Sequence, residues 1–195
     1  MATTIERYLA RASKAGIDTK SREAIDWYKG VVRKSSVSPN RIMGEEKASL
    51  ISSWTNTGPG QMYLVHYDPK HKKTLPFYDT FPLVIPIERY RDGILGLNLH
   101  YLAPMHRARL LDALLDTANN QRYDESTKMK LSYKIVKAVA EDKHVNHCVK
   151  RYLGTHFRSR FVKISPEAWP IAAMLPVEQF EKASKKEVWN KMGKK

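Results

Sequence analysis

The stretch Gln61–Met105, QMYLVHYDPKHKKTLPFYDTFPLVIPIERYRDGILGLNLHYLAPM, decides the fold class. It holds two apolar runs, Phe81 to Ile87 and Ile94 to Leu102, on either side of Glu88-Arg89-Tyr90-Arg91-Asp92-Gly93. An Asp-Gly pair between apolar runs suits a tight reversal with positive φ, so the two runs read as a β-hairpin. In the second arm Leu95, Leu97, Leu99 and Tyr101 alternate with Gly96, Asn98, His100 and Leu102, the period of a strand with one buried face. Met62 to Tyr67 is a third strand candidate, closed by Asp68-Pro69 because proline offers no N–H to a ladder. Pro82 and Pro86 both fall in the first arm, which therefore requires an edge position or a bulge. The expected fold is α+β, a small antiparallel sheet or open barrel of about three to five strands wrapped by helices, with an N-terminal helical arm.

Working outward, Thr3-Thr4-Ile5-Glu6 has capping-box spacing and opens a helix that Gly16 ends. Ser21 opens a second, carrying Ile25, Tyr28 and Val32 on one face. Ser35 to Asn40 is a polar break, and the aperiodic stretch after Gly44 ends in Gly58-Pro59-Gly60. Residues 1–60 thus read as a helical arm and linker, and residues 61–195 as a single α+β domain with a basic C-terminal third. Pro104 suits the first turn of a helix that turns Ala108, Leu111, Leu114 and Leu115 inward and leaves Arg107 and Arg109 off the stripe. Asp124 caps another helix, with Met129, Tyr133, Val136 and Ala140 on one face. Val145 to Leu153 reads as helical up to Gly154, and Phe157 to Ile164 alternates as a strand. Ser165-Pro166 starts a helix that Pro170 interrupts, and Ser184 to Glu187 caps a last one through Val188, Trp189 and Met192. The expected core includes Leu83, Ile85, Leu97, Leu99, Leu111 and Leu114.

A chain of 195 residues can bury one substantial core, and 42% hydrophobic with 28% charged residues excludes wholesale disorder. No apolar run approaches the roughly 20 residues of a bilayer span, so no membrane partner is expected. The N-terminus lacks the basic-then-apolar order of a secretory signal, which implies a soluble protein made in the cytoplasm. The single Cys148 cannot form an internal disulfide and fits a reducing compartment.

Charge is the strongest compositional signal, at +14 with a pI near 9.8. Residues 143–195 carry 12 Lys/Arg against 4 Asp/Glu, whereas residues 61–142 carry 12 against 10. Such a field favours a polyanion, foremost double-stranded DNA held through its phosphates, because each neutralised phosphate releases counterions. The competing reading is a basic subunit docked on acidic protein neighbours. In Lys143 to Lys163 the cations Lys150, Arg151, Arg158, Arg160 and Lys163 are interleaved with Tyr152, Phe157 and Phe161. On a strand Arg158 and Arg160 share one face and the phenylalanines the other, which favours backbone contact over base stacking. Lys70, Lys72 and Lys73, around His71, form a second basic loop.

Catalytic alternatives are weaker. His144, His147 and Cys148 lie close together, but zinc requires a second ligand pair, and without one Cys148 reads as a buried cysteine. A metal-dependent nuclease needs convergent carboxylates near a lysine. Asp68 with Lys70, Asp79, Glu88, and Glu141-Asp142-Lys143 supply the types but are scattered, and turn or helix-end roles explain them better. Glycine loops of the kind that cradle phosphates do not occur, and no cofactor or metal is expected.

The segment from Met62 to Trp189 resembles proteins of contractile-tailed, T-even-like phages described as DNA end-protector or head-completion proteins. The resemblance is carried by Tyr67-Asp68-Pro69-Lys70, Leu75-Pro76, Phe81-Pro82-Leu83-Val84, Gly96 to Leu102 and Arg122-Tyr123-Asp124. It implies a late virion component, made in the host cytoplasm and associated with packaged DNA termini or with closing the filled head, and no enzymatic activity. Its partners would be DNA and other virion proteins of the head-neck or tail, with a neck, tail or baseplate subunit as the alternative. The first 60 residues lie outside the resemblance, and it transfers no binding residue.

Overall fold

The computed structural model describes residues 2–143 and 145–190, so His144 and Met192 lie outside the described residues. Its centre is the expected hairpin, β4 (Leu83–Tyr90) and β5 (Gly93–Asn98), closed between the paired residues Tyr90 and Gly93. Gly93 has φ 156°, and a Cβ there would lie 1.9 Å from the Tyr152 carbonyl oxygen, so the reversal admits no side chain. Pro86 stands in β4, and the register shifts between Pro86 and Glu88, placing the bulge where the proline withholds its donor. With β1 (Leu50–Ile51), β2 (Met62–Leu64), β6 (Val149–Leu153) and β7 (Phe161–Ile164), the hairpin forms a six-stranded antiparallel sheet in the order β1-β7-β2-β4-β5-β6. A small second sheet pairs β3 (Tyr78–Asp79) with β8 (Phe180–Glu181). The sheet is therefore larger than expected, and it does not close into a barrel.

Helices α1 (Thr4–Lys14) and α2 (Arg22–Val31) begin at the expected caps; Thr3 and Glu6 complete both halves of the capping box. The polar break after Ser35 hides a short helix, α3 (Pro39–Glu45), with Ser38 as cap and proline at its first position. Then follow α4 (Pro104–Ala118), α5 (Glu125–Glu141) capped by Asp124, α6 (Trp169–Met174) and α7 (Lys185–Asn190). Pro170 does not interrupt a helix but sits in the first turn of α6, where its missing N–H is harmless. Ile5, Ala12, Ala24, Ile25, Tyr28 and Ile42 from the first 60 residues enter the same core as α6 and the sheet.

Other boundaries differ from the expectations. Val145 to Leu153 is not helical; after a turn at Asn146–Cys148 it becomes strand β6, because the open edge of β5 offers a ladder from Gly93 to Leu97. Only Phe161–Ile164 of the proposed 157–164 strand is regular, since Arg158 and Ser159 bond to the His66 backbone and bend the chain. The second hairpin arm stops at Asn98, whose side chain accepts the His100 N–H at 3.0 Å and starts a 3-10 turn over Leu99–Tyr101.

Both sheet faces are covered. Met62, Leu64, Leu83, Ile85, Leu97, Val162 and Ile164 pack towards the helices, while Tyr63, Val65, Tyr67, Val84, Ile94, Tyr152 and Phe161 form a second, largely aromatic cluster. The penultimate strand β5 is thus buried on two faces rather than one, while all six expected core leucines and isoleucines are fully buried. Replacing Leu97 or Leu99 by Ala should lower stability by about 2–5 kcal/mol through lost transfer energy and a residual cavity, read as a shift of the urea midpoint.

Arg107, expected at the helix surface, is 2% exposed. Its Nε donates to Leu102 O at 2.8 Å, Nη1 to Ala173 O at 3.0 Å and Nη2 to His100 O at 3.0 Å. Glu178 Oε1 lies 3.5 Å away, and Glu178 Oε2 lies 3.4 Å from Lys185 Nζ. Burial alone would raise the Glu178 carboxyl, but Arg107, His100 and Lys185 outweigh it and leave the carboxyl below its ordinary value. A lowered folded-state value makes this contribution full above the ordinary carboxylate range and lost as pH falls through the lowered value. Arg107→Met should cost about 3–5 kcal/mol by leaving carbonyls that it serves unsatisfied and Glu178 with Lys185 as its remaining ion-pair partner, and adding Glu178→Gln should restore part of it. Urea midpoints followed from pH 7 to about pH 3 should show a shallower acid decline in Glu178→Gln than in the parent.

Candidate nucleic-acid interface

The two basic segments, separated by about eighty residues in sequence, are joined in the fold by their backbones. Asp68 N–H donates to His156 O at 3.0 Å, Arg158 N–H donates to His66 O at 2.8 Å, and Tyr67 pairs with Phe157 in an isolated bridge. The Tyr67 hydroxyl accepts from Leu153 N–H at 3.0 Å. Beneath this seam the rings interlock edge to face: Tyr67 lies 4.9 Å from Tyr152 and 5.2 Å from Phe157, and Phe157 lies 4.6 Å from Phe161. The Trp54 indole covers Gly154 so closely that a Cβ there would sit 2.1 Å from Nε1. The basic loop is also built rather than free, for Lys182 Nζ donates to the carbonyls of Lys72, Lys73 and Leu75 at 2.5, 3.0 and 3.0 Å.

Of the eight cations singled out by the sequence, Lys70, Lys72, Lys73, Arg158, Arg160 and Lys163 are exposed. Lys70, Lys72, Lys73 and Arg158 belong to the joined seam; Arg160 and Lys163 follow it into β7, where Lys163 is paired with Tyr63. Among the described residues Lys70, Lys73, Arg160 and Lys163 have no carboxylate in ion-pair range. Asp68 restrains two others: Lys72 Nζ lies 2.9 Å from Oδ1 and Arg158 Nη2 lies 3.4 Å from Oδ2. These cations hold the Asp68 carboxyl below its ordinary value, the Lys72 hydrogen bond being the largest cause.

Arg151 and Lys150 behave differently from the exposed set. Arg151 pairs with Asp92, donates to the carbonyls of Ile94 and Tyr152, and lies over the Tyr90 ring, so it fastens β6 to the hairpin tip. Lys150 turns into a cleft beside Tyr101 and Tyr152, with Nζ 4.3 Å from the Tyr101 ring centroid. Burial lowers its pKa, the Cys148 side chain opposing only in part.

The carboxylates do not converge on a metal centre. Asp68 faces cations, Asp79 is buried among its own hydrogen bonds, and Glu88 accepts from the Tyr90 hydroxyl. Among the described residues no group of three His, Cys, Asp or Glu side chains could hold a metal ion. Burial pushes the Cys148 thiol up to about 12, which removes the thiolate a nucleophile would need. Among the described residues no helix is long and apolar enough to cross a membrane.

The family described as Phage T4 terminal DNA protecting protein matches residues 7–194. The match takes in nearly all of the N-terminal region that the sequence resemblance left out. No curated protein and no solved structure matches the chain. With its sequence matched almost from end to end, the chain belongs to the family of the phage T4 terminal DNA protecting protein.

Proposed function

We propose that the protein is a non-enzymatic virion component that binds the ends of packaged double-stranded DNA through phosphate contacts and helps complete the head or neck. The observation that carries this reading is the joining of the 67–73 and 154–160 segments, which sets exposed lysines and arginines on one aromatic-backed seam. The family supports the DNA terminus as the target. Lys70, Lys72, Lys73, Arg158, Arg160 and Lys163 meet the duplex backbone, Arg151 holds the strand beneath them, and Lys150 acts from the cleft. Guanidinium and ammonium groups without base-reading partners give sequence-indifferent binding.

Four to six phosphate contacts should give a slope of log K against log salt of about −3.6 to −5.4, at about −0.9 per phosphate. Arg160→Ala should weaken all duplex sequences alike and flatten that slope by about one unit. Linear DNA should bind better than closed circular DNA of the same sequence, and bound ends should resist exonuclease. Equal binding of the two forms with undiminished digestion would remove the end-specific role; absence of salt-dependent binding would transfer the basic surface to an acidic protein neighbour.

Asp68 gives a test of opposite sign. Asp68→Asn frees Lys72 and Arg158 and removes a negative charge from the seam, so duplex affinity should rise by about two- to fivefold at low salt. Filter binding across a salt series checks this, and a loss of affinity would show that Asp68 presents these cations rather than restraining them.

A further inference from the structure

Segment 67–79 and the edge of β6 enclose a cleft of about 410 Å³, within the range of small-ligand sites and too confined for a duplex. Its lining includes the aromatic residues Tyr67, Phe77, Tyr101 and Tyr152, the three tyrosines among them largely buried. Asp79 is the carboxylate in the lining, and it is already engaged. Its Oδ2 lies 2.8 Å from His100 Nδ1 and accepts from Asn98 at 3.1 Å, and its Oδ1 accepts from Phe81 N–H at 3.0 Å and Gln179 N–H at 3.3 Å. Lys150 is left with an aromatic ring for company and, among the described residues, no carboxylate in ion-pair range. A half-buried cation without an anionic partner has lost part of its hydration uncompensated, and that cost is offset if an anion enters. Lys70 and Leu153 line this cleft and also a shallower groove with Trp54, Arg91 and His156, so the opening adjoins the basic seam.

We propose that the cleft receives the last nucleotide of a DNA strand, with its 5′-phosphate against Lys150 Nζ and its base against the tyrosine rings. This rests on the reading of the protein as a DNA-end binder and specifies how an end is told from an interior. A terminal monoester carries nearly two negative charges at neutral pH, whereas each internal diester carries one, so an enclosed lysine selects the terminus. An internal nucleotide is tied to neighbours on both sides and would have to be flipped out, while a terminal one needs only to unstack. Aromatic walls accept any base, which fits ends of unspecified sequence.

The test uses the full chain and linear duplexes carrying 2-aminopurine as the 5′-terminal base, with and without the 5′-phosphate. The expected results are a change in the 2-aminopurine emission on binding, as the base exchanges the duplex stack for the cleft, and a preference for the phosphorylated end of about tenfold, the scale of one charge-assisted contact. In Lys150→Met that preference should fall to near unity, while Arg160→Ala should weaken both duplexes alike and leave it intact. Should Lys150→Met fail to fold, the parent's own phosphate preference and change of emission decide the matter. Equal binding of both duplexes with unchanged emission overturns the cleft assignment but leaves end binding standing; failure to bind any DNA overturns both.

Discussion

The guanidinium of Arg107 is the interaction on which the arrangement of the C-terminal half depends. It joins the turn after β5, through His100 O and Leu102 O, to the end of α6, through Ala173 O, and to Glu178 just before β8. Lysine could not replace it, since one ammonium cannot donate in three fixed directions from a planar fork. The Trp189 ring of α7 lies 5.4 Å from the guanidinium carbon, and its indole N–H donates to the same His100 carbonyl at 2.9 Å. One buried charge therefore docks α6, the β8 segment and α7 against the sheet. Its fixed position also sets β8 beside β3, and β3 carries Asp79 and Tyr78 into the cleft wall.

A second constraint acts on the other sheet face. The seam between Tyr67 and Phe157 would expose a row of rings if the 154–160 segment lifted away, so aromatic burial holds in place the segment that presents Arg158. Lys182 does the same for the 70–75 loop by neutralising three carbonyls with one ammonium. It reaches them from a left-handed backbone position, φ 67°, a conformation that non-glycine residues adopt at some expense. Positive charge is thus mounted on hydrogen-bonded supports, which on the proposed reading reduces the ordering needed when a phosphate arrives.

What could be read from the sequence followed local rules. The hairpin rested on Asp92-Gly93 and a period of two, the helix starts on caps at Thr3, Ser21 and Asp124, and the core leucines on their spacing, and each of these has its counterpart in the fold. The features that escaped depend on distant partners. Strand β6 is five residues long and follows a helix-compatible stretch, so only the free edge of β5 decides its state. Arg107 carries a charge that ordinarily marks a solvent face, and its acceptors are carbonyls at the ends of other elements, which no spacing reveals. The same limit applied to the cations: taken as one run, Lys150 and Arg151 looked equivalent. On a strand their side chains leave in opposite directions, one to the cleft and one to the hairpin tip.

That separation divides the positive charge into two physical classes with different uses. Exposed lysines and arginines keep their water, act through a screened field, and attract a terminus no more strongly than any other stretch of phosphate. A charge of this kind can gather DNA but cannot locate its end. Lys150 stands in a cleft with aromatic lining, where screening is weaker than at the exposed surface, so on the proposed reading its interaction with a terminus is short-ranged and shaped. Under that proposal, selectivity for an end arises from geometry, with the surface field supplying affinity along the duplex and the cleft amine supplying the difference between a terminus and an interior.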